Sequence, residues 1–167
     1  MWPHTTRHED FEIFVFFCIF FSESLHNMTK RELLNDEGFE DTFVFDDENL
    51  KILGLSHDDR AVYLSKDVQN KCAEFGDKKP PILMSPCDVS SIEGLTVLDP
   101  RYLDTAIIGV TDDNRVVYDY DKLRTAFMKA EGWDEEESDD WINYNTIRSL
   151  PYIPNSPVIM FDISYMI

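Results

Sequence analysis

The stretch that decides the fold is AIIGVTDDNRVVYDYDKLRTAFMKAEGWDEEESDDWINYNTIRSLPY, residues 106–152. It opens with two runs rich in β-branched and aromatic residues, 106–111 and 115–120, on either side of a polar segment at 112–114. A short polar turn between two such runs is typical of a β-hairpin. The sequence therefore predicts two antiparallel strands joined by a tight turn.

Two helices are predicted after this hairpin. The first is capped at its start by Asp119 or Asp121 and ends at Gly132. Its apolar residues recur at helical spacing and are Leu123, Ala126, Phe127 and Ala130. The second helix begins at Asp134, and Glu137 completes a capping box with it. Its acidic first turn favours the helix, because the positive end of the helix dipole attracts carboxylates.

An earlier part of the chain repeats the hairpin pattern. Residues 54–63, GLSHDDRAVY, align with residues 109–118, GVTDDNRVVY, without a gap. The flanking segments follow in the same order, with 43–46 similar to 96–99 and 81–84 similar to 157–160. We expect two related units, each with a strand, a hairpin, a helical connector and a final strand. Chance similarity is the alternative, because hairpin turns favour Asp and Asn in any case.

The predicted fold class is α+β, with a small mixed or antiparallel sheet built from the two units and short helices in the connectors. The expected parts are a doubtful leader or upstream extension at 1–27, a first unit at 28–87, a linker at 88–95, and a second, longer unit with a two-helix connector at 96–167. The leader holds an apolar run, but acidic residues precede it, so a translation start at Met28 is the simpler interpretation.

Further elements are predicted outside the stretch at 106–152. They are helices over 29–37 and 67–75, the latter ending at Gly76, and strands over 42–45, 52–55, 96–98 and 158–161. Cys72 lies on the second of these helices and is expected to be a small core residue rather than a nucleophile. His57 is expected in a hairpin turn, exposed to solvent.

The composition is strongly acidic, with 15 Lys and Arg against 33 Asp and Glu and a formal net charge of −18. This charge disfavours direct binding to nucleic acid or anionic membranes and favours a basic protein partner. The alternative is that it only keeps the protein soluble. No apolar run reaches the ~20 residues of a membrane-spanning helix. Three cysteines, an odd number without metal-ligand spacing, make a poor disulfide framework and favour a reducing, cytoplasmic compartment, with secretion through residues 1–24 as the alternative.

Catalysis and cofactor binding find little support in the residue pattern. No serine lies in the Gly-x-Ser-x-Gly setting of a nucleophile elbow, and no glycine-rich phosphate loop is present. Asp112, Asp119 and Asp121 are weak candidates for a calcium or magnesium site, with Asp113 beside them. Aspartates in turns also bond their own backbone routinely, which is the simpler interpretation. We expect no catalytic residue, no cofactor and no specific metal site.

The acidic second helix and the segment after it are the predicted partner-binding region. Aromatic and Arg side chains are favoured as interface anchors, because they bury large areas and satisfy polar tips together. The candidates are Asp134, Glu135, Glu136, Asp139, Asp140, Trp141, Tyr144, Arg148 and Tyr152. The alternative is structural, with both tyrosines packed on the sheet and Arg148 paired with a carboxylate.

The pattern IIGVTDDNRVVYDYDKL, then WINYNTIRSLPY, then SPVIMF resembles a group of small proteins from bacteriophages and gut-bacterial genomes. The resemblance covers residues 106–161 and implies a phage or prophage setting, with no catalytic residues. We therefore expect a non-catalytic, acidic protein-interaction module, in its sharpest form a mimic of nucleic acid that occupies a basic host protein. The alternatives are a carboxylate-based metal module or enzyme, and a self-assembling structural protein.

Overall fold

Six strands form the centre of the computed structural model, which describes residues 29–35 and 38–166. The strands are β1 (Gly54–Ser56), β2 (Ala61–Leu64), β3 (Ile82–Pro86), β4 (Ile107–Thr111), β5 (Val116–Asp119) and β6 (Val158–Phe161). The helices are α1 (Lys30–Leu34), α2 (Ser65–Val68), α3 (Tyr120–Glu131) and α4 (Glu135–Trp141). A π-helical segment, Ile142–Thr146, and a 3₁₀ helix, Ile147–Tyr152, continue directly from α4. Further 3₁₀ helices are Val89–Ser91, Arg101–Ala106 and Ile163–Met166.

The six strands close into a barrel in chain order, where a small mixed or antiparallel sheet was expected, and the mixed α+β class is confirmed. The first and last strands pair, with Leu55 opposite Phe161 and Ser56 opposite Met160. Pairs β2–β3 and β5–β6 are parallel and the other four are antiparallel. Closure has a physical reason, since it leaves no strand edge whose backbone groups lack partners.

The two halves of the barrel make matching contacts. Gly54 pairs with Val62 in the first hairpin, as Gly109 pairs with Val117 in the second. Each hairpin turn holds one residue in the left-handed region, Asp59 at φ 62° and Asn114 at φ 61°, and these residue types tolerate that conformation. The correspondence is one of geometry, and a common origin of the two halves stays a prediction.

Three apolar clusters stabilise the barrel, one inside it and one on the outer side of each half. The interior is filled by Val62, Ile82, Met84, Val117, Val158 and Met160. Tyr63 and Tyr118 lie fully buried in the two outer clusters. The Tyr63 hydroxyl accepts a hydrogen bond from the Phe45 backbone N at 3.2 Å, and that of Tyr118 from the Leu98 N at 2.9 Å.

Those two hydrogen bonds explain why the predicted strands over 42–45 and 96–98 do not form. The closed barrel offers no free edge, so each segment crosses the outside of the barrel and bonds a tyrosine hydroxyl instead. Within the described residues, the first of these segments makes one isolated bridge, between Thr42 and Lys79. Both strand predictions were therefore wrong, although the segments pack where strands were expected.

The helix boundaries around the second hairpin are confirmed. Asp119 caps α3 by accepting from the Lys122 backbone N at 2.9 Å, and Gly132 ends it with φ 75°. Asp134 and Glu137 form the capping box of α4, since each carboxylate accepts from the other residue's backbone N, at 2.9 and 3.1 Å. The last strand of the barrel, β6, also lies where the sequence placed it.

The first-half connector departs from the prediction. A helix over 67–75 was expected, but α2 ends at Val68, and residues 69–78 are almost entirely exposed. Short helices depend on burying one face, and this segment has almost nothing to bury. Cys72 is consequently exposed and outside any helix, so its interpretation as a core residue was wrong.

Candidate interaction surface

Helix α4 is held against α3 by a polar cluster around Asp139. The Tyr120 hydroxyl donates to Asp139 Oδ1 at 2.8 Å, and Arg124 Nη1 lies 3.5 Å from Asp139 Oδ2. Asn143 Nδ2 donates to the Asp139 backbone carbonyl at 2.9 Å. Burial, and then the hydrogen bond to Asp139, raise the pKa of Tyr120 well above its usual range, so this hydroxyl remains a donor. The Tyr120 ring also stacks on Phe161 of β6, with ring centroids 4.5 Å apart.

The helical run from α4 to Tyr152 turns one row of side chains inward. Ser138, Ile142, Thr146 and Leu150 are spaced four residues apart, and all four are buried. A second row with the same spacing, Glu136, Asp140, Tyr144, Arg148 and Tyr152, is exposed. The run is thus amphipathic, and its outer row combines carboxylates, aromatic rings and a guanidinium.

Aromatic exposure is concentrated in this run. Trp141 is 44% exposed, Tyr144 57% and Tyr152 87%. Among the described residues, the other exposed large apolar side chains are Phe75 and Val89, elsewhere in the chain. The alternative in which both tyrosines pack on the sheet was therefore wrong. Exposed aromatic groups gathered in one place mark interaction sites more often than scattered ones do.

Trp141 and Tyr144 each pack against a neighbouring side chain. The Arg148 guanidinium carbon lies 4.9 Å from the centre of the Tyr144 ring, a cation–π arrangement. Trp141 packs on Trp133 with ring centroids 5.2 Å apart, and Trp133 stacks on the buried Phe127 at 5.7 Å. These contacts hold Trp141 and Tyr144 in place before any partner arrives, which reduces the entropy lost on binding.

The structure divides the nine predicted residues into two sets. Asp134 and Asp139 serve the chain internally, one as a helix cap and the other as the link to α3. The other seven lie on the exposed side of the run, and we name them the α4 surface: Glu135, Glu136, Asp140, Trp141, Tyr144, Arg148 and Tyr152. Sequence reasoning missed Tyr120 and Arg124, which position this surface. Only the spacing of Arg124 from Asp121, a pair at i and i+3, could have indicated either of them.

The three weak metal candidates are engaged separately. Asp112 Oδ2 accepts from the Ser65 hydroxyl at 3.0 Å, Asp119 caps α3, and Asp121 pairs with Arg124 at 2.8 Å. Within residues 29–35 and 38–166, no group of three His, Cys, Asp or Glu side chains is placed to hold a metal ion. Nothing in the described part of the chain therefore adds support to a carboxylate-based metal site.

His57 differs most from its expected environment. It lies in the first hairpin turn but is half-buried, and its Nδ1 accepts from the Ile159 backbone N at 3.1 Å. Its own backbone N donates to the Ile159 carbonyl at 2.8 Å. Burial lowers the pKa of His57, Asp58 opposes that shift, and the nearby Arg115 and Arg60 add to it. The expectation of an exposed histidine was wrong, because closure of the barrel brings β6 against this turn.

Comparison with known proteins gives no relative from which a role can be transferred. No protein-family model matches the chain, and neither a curated protein nor a solved structure does. Across the described residues, no helix has both the length and the apolar character needed to cross a membrane.

Proposed function

We propose that this chain is a non-catalytic, acidic protein-interaction module that binds a basic protein partner through the α4 surface. The observation that carries the proposal is the concentration of Trp141, Tyr144 and Tyr152 on one exposed helical run that also presents carboxylates. From the sequence pattern of residues 106–161 we further propose a phage or prophage origin, with a host protein as the partner.

The negative charge of α4 and of the whole chain favours a basic partner. Glu135, Glu136 and Asp140 are exposed on α4, and the chain as a whole carries a formal net charge of −18. Complementary charge accelerates encounter and suppresses wrong partners more than it adds final affinity. We therefore expect association that slows as salt is added, because exposed charges are screened at short range.

The aromatic side chains supply the affinity in this proposal. Tyr and Trp are enriched among the residues whose truncation costs about 2 kcal/mol or more of binding free energy. Tyr144 and Tyr152 are exposed, so removing either ring leaves no cavity in the folded chain. They are suitable for mutation, since loss of binding can be separated from loss of folding.

Imitation of nucleic acid is a sharper form of the same proposal and makes a different prediction. A phosphate mimic depends on its row of negative charges, whereas the α4 surface interleaves carboxylates with aromatic rings and Arg148. This interleaving favours a protein–protein interface with aromatic anchors. The experiment below distinguishes the nucleic-acid mimic from the aromatic-anchored interface, because only the mimic should still bind its partner after the tyrosines are removed.

The test is affinity capture from host lysate with the full chain as bait, washed at low and high salt. Two variants accompany the wild type: the double truncation Tyr144→Ala and Tyr152→Ala, and the triple reversal Glu135→Lys, Glu136→Lys and Asp140→Lys. We expect a basic protein that is retained by the wild type, weakened by salt and by the charge reversal, and lost in the double truncation.

The matched control reverses three exposed carboxylates in the first-half connector, Asp67→Lys, Glu74→Lys and Asp77→Lys. It makes the same change in net charge at a distant place, so it should retain the partner. Equal loss in both reversals would show that only overall charge matters, and the α4 surface would no longer be the binding site. A partner that survives the tyrosine truncation but not the local reversal would support the nucleic-acid mimic.

A further inference from the structure

A cavity of about 890 Å³ opens at one end of the barrel. It lies where β2, β3 and β6 end and where β1 and β4 begin, so we name it the barrel mouth. Its apolar wall includes Leu53, Leu64, Met84, Ile108 and Met160. Sites for drug-sized molecules span a few hundred to about a thousand Å³, and the mouths of β-barrels are a frequent location for them.

Two glycines shape the floor of the barrel mouth. A Cβ added to Gly54 would lie 2.9 Å from Met160 Cγ, and one added to Gly109 would lie 2.7 Å from Met84 Cγ. Only glycine at these positions lets the two methionines lie across the neighbouring strands. Methionine is unbranched and polarisable, so it adapts to ligands of varied shape. The floor can therefore repack around an apolar group.

Two lysines stand at the rim of this apolar cavity. The Lys30 side chain is only 18% exposed, and its ammonium donates to the Leu53 carbonyl at 2.9 Å and to Asp162 Oδ1 at 3.0 Å. An ammonium has three N–H donors, so these two acceptors leave one for another group. Lys51 also lines the cavity, and it is exposed.

The charged side chains that line the cavity are equal in number, with Lys30, Arg31 and Lys51 against Glu32, Glu48 and Asp162. Glu32 accepts from the Thr29 backbone N at 2.6 Å and caps α1, and Glu48 is exposed. Arg31 donates to two backbone carbonyls nearby. Positive and negative side chains are thus balanced around the cavity, in a chain whose formal net charge is −18.

We propose that the barrel mouth binds a small amphiphilic carboxylate, with its hydrocarbon part on Met84 and Met160 and its carboxylate at Lys30 and Lys51. The apolar wall supplies most of the affinity, because burial of hydrocarbon surface is the dominant favourable contribution to such binding. The lysines select the charged head group over an uncharged one. This site is separate from the α4 surface, so it stands whether or not the proposed protein partner exists.

The experiment is calorimetric titration of the full chain with octanoate and, in parallel, with 1-octanol as the uncharged analogue. We expect saturable one-to-one binding of octanoate. Lys51→Met should weaken octanoate binding about fivefold, as expected for loss of one partly solvated charge contact, and leave octanol binding unchanged. Lys129→Met is the matched control, because it removes an exposed lysine from α3 away from the cavity.

Leu64→Trp narrows the cavity and should weaken binding of both compounds about tenfold or more, through lost apolar contact. Ile108→Trp narrows the same cavity from another strand. It serves as a second, independent test in case Leu64→Trp fails to fold. Each variant is first checked for an unchanged thermal unfolding transition.

Four results would overturn the proposal. The first is the absence of saturable octanoate binding, and the second is an equal effect of the Lys51 and Lys129 substitutions. The third is loss of binding in Tyr152→Ala, which would place the ligand on the α4 surface. Octanol bound as tightly as octanoate would reject a carboxylate ligand as well.

Discussion

The connectors of the two barrel halves differ far more than the halves themselves. Residues 65–81 join β2 to β3 with the single short helix α2, whereas residues 120–157 join β5 to β6 with α3, α4 and the helical turns after α4. Both connectors link parallel neighbours, and both halves repeat the same strand pairings. The barrel therefore constrains where a connector begins and ends and leaves its length free.

The proposed interaction surface lies on the longer of the two connectors. The first connector places Val68 in an outer cluster and is otherwise mostly exposed, while the second supplies Leu123, Phe127, Ile142 and Leu150 to the other outer cluster. A helical layer that buries enough apolar surface to offset the conformational entropy lost on ordering it can present a rigid outer face. Sites carried on connectors above a rigid scaffold are the common arrangement in proteins.

The largest effect is expected from removing the inward row of the second connector. Ile142 is fully buried, so Ile142→Ala should lower the free energy of unfolding by about 2–5 kcal/mol through lost contacts and a cavity. Val68→Ala in the first connector removes less volume and should cost about 2 kcal/mol or less. Denaturant titration of both variants measures the difference. If both cost the same, the second connector contributes no more to stability than the first.

A smaller and symmetrical effect is expected at the glycines of the two hairpins. A Cβ at Gly54 would lie 2.3 Å from the Phe161 carbonyl oxygen, and one at Gly109 would lie 2.6 Å from the Ser85 carbonyl oxygen. Both contacts are with backbone, so each alanine forces a strand to shift, at a cost of about 1–3 kcal/mol. Thermal unfolding of Gly54→Ala and Gly109→Ala should show similar losses. A large loss of stability in one variant alone would mean that the two halves of the barrel do not respond in the same way to the added methyl group.

The attachment of α4 to α3 should depend on one hydroxyl. Tyr120→Phe removes the donor to Asp139 but keeps the ring stacked on Phe161, and we expect a loss of about 1 kcal/mol. Tyr102→Phe is the control, since its hydroxyl bonds Glu131 in a more exposed setting. Hydrogen exchange should report faster opening of α4 in the first variant alone. Unchanged exchange in α4 would show that its attachment rests on apolar packing.

Local signals in the sequence were enough to locate the second hairpin and the two helices after it. Asp119, Gly132 and the Asp134–Glu137 capping box act within a few residues of their own positions, so their effect is visible without the fold. Closure of the barrel could not be predicted from such local signals. It depends on β1 meeting β6 across most of the chain, and no local pattern specifies that contact.

The same distinction applies to the α4 surface. Exposure of Tyr144 and Tyr152 could not be separated from packing on the sheet, because an aromatic side chain near proline turns is consistent with either. Asp139 was grouped with the partner-binding carboxylates for the same reason, since its neighbour in space, Tyr120, is distant in sequence. Long-range partners decide which members of an acidic run face solvent.

The smallest effect, and the one that tests the contact between the first hairpin turn and β6, is the response to pH. Burial lowers the pKa of His57 below its ordinary 6.5, and the neutral ring accepts a hydrogen bond from Ile159. The unfolded chain therefore binds the proton at higher pH than the folded chain does. The stability that the neutral His57 side chain contributes is complete above about pH 6.5, and it is lost as the pH falls toward the folded pKa. Chemical unfolding across this pH window should show a fall in the free energy of unfolding of the wild type. The fall should be smaller in His57→Asn, because an amide oxygen can accept the same hydrogen bond without titrating. An identical pH profile in both proteins would assign the acid sensitivity to the carboxylates, and His57 would then be a packing residue of the turn.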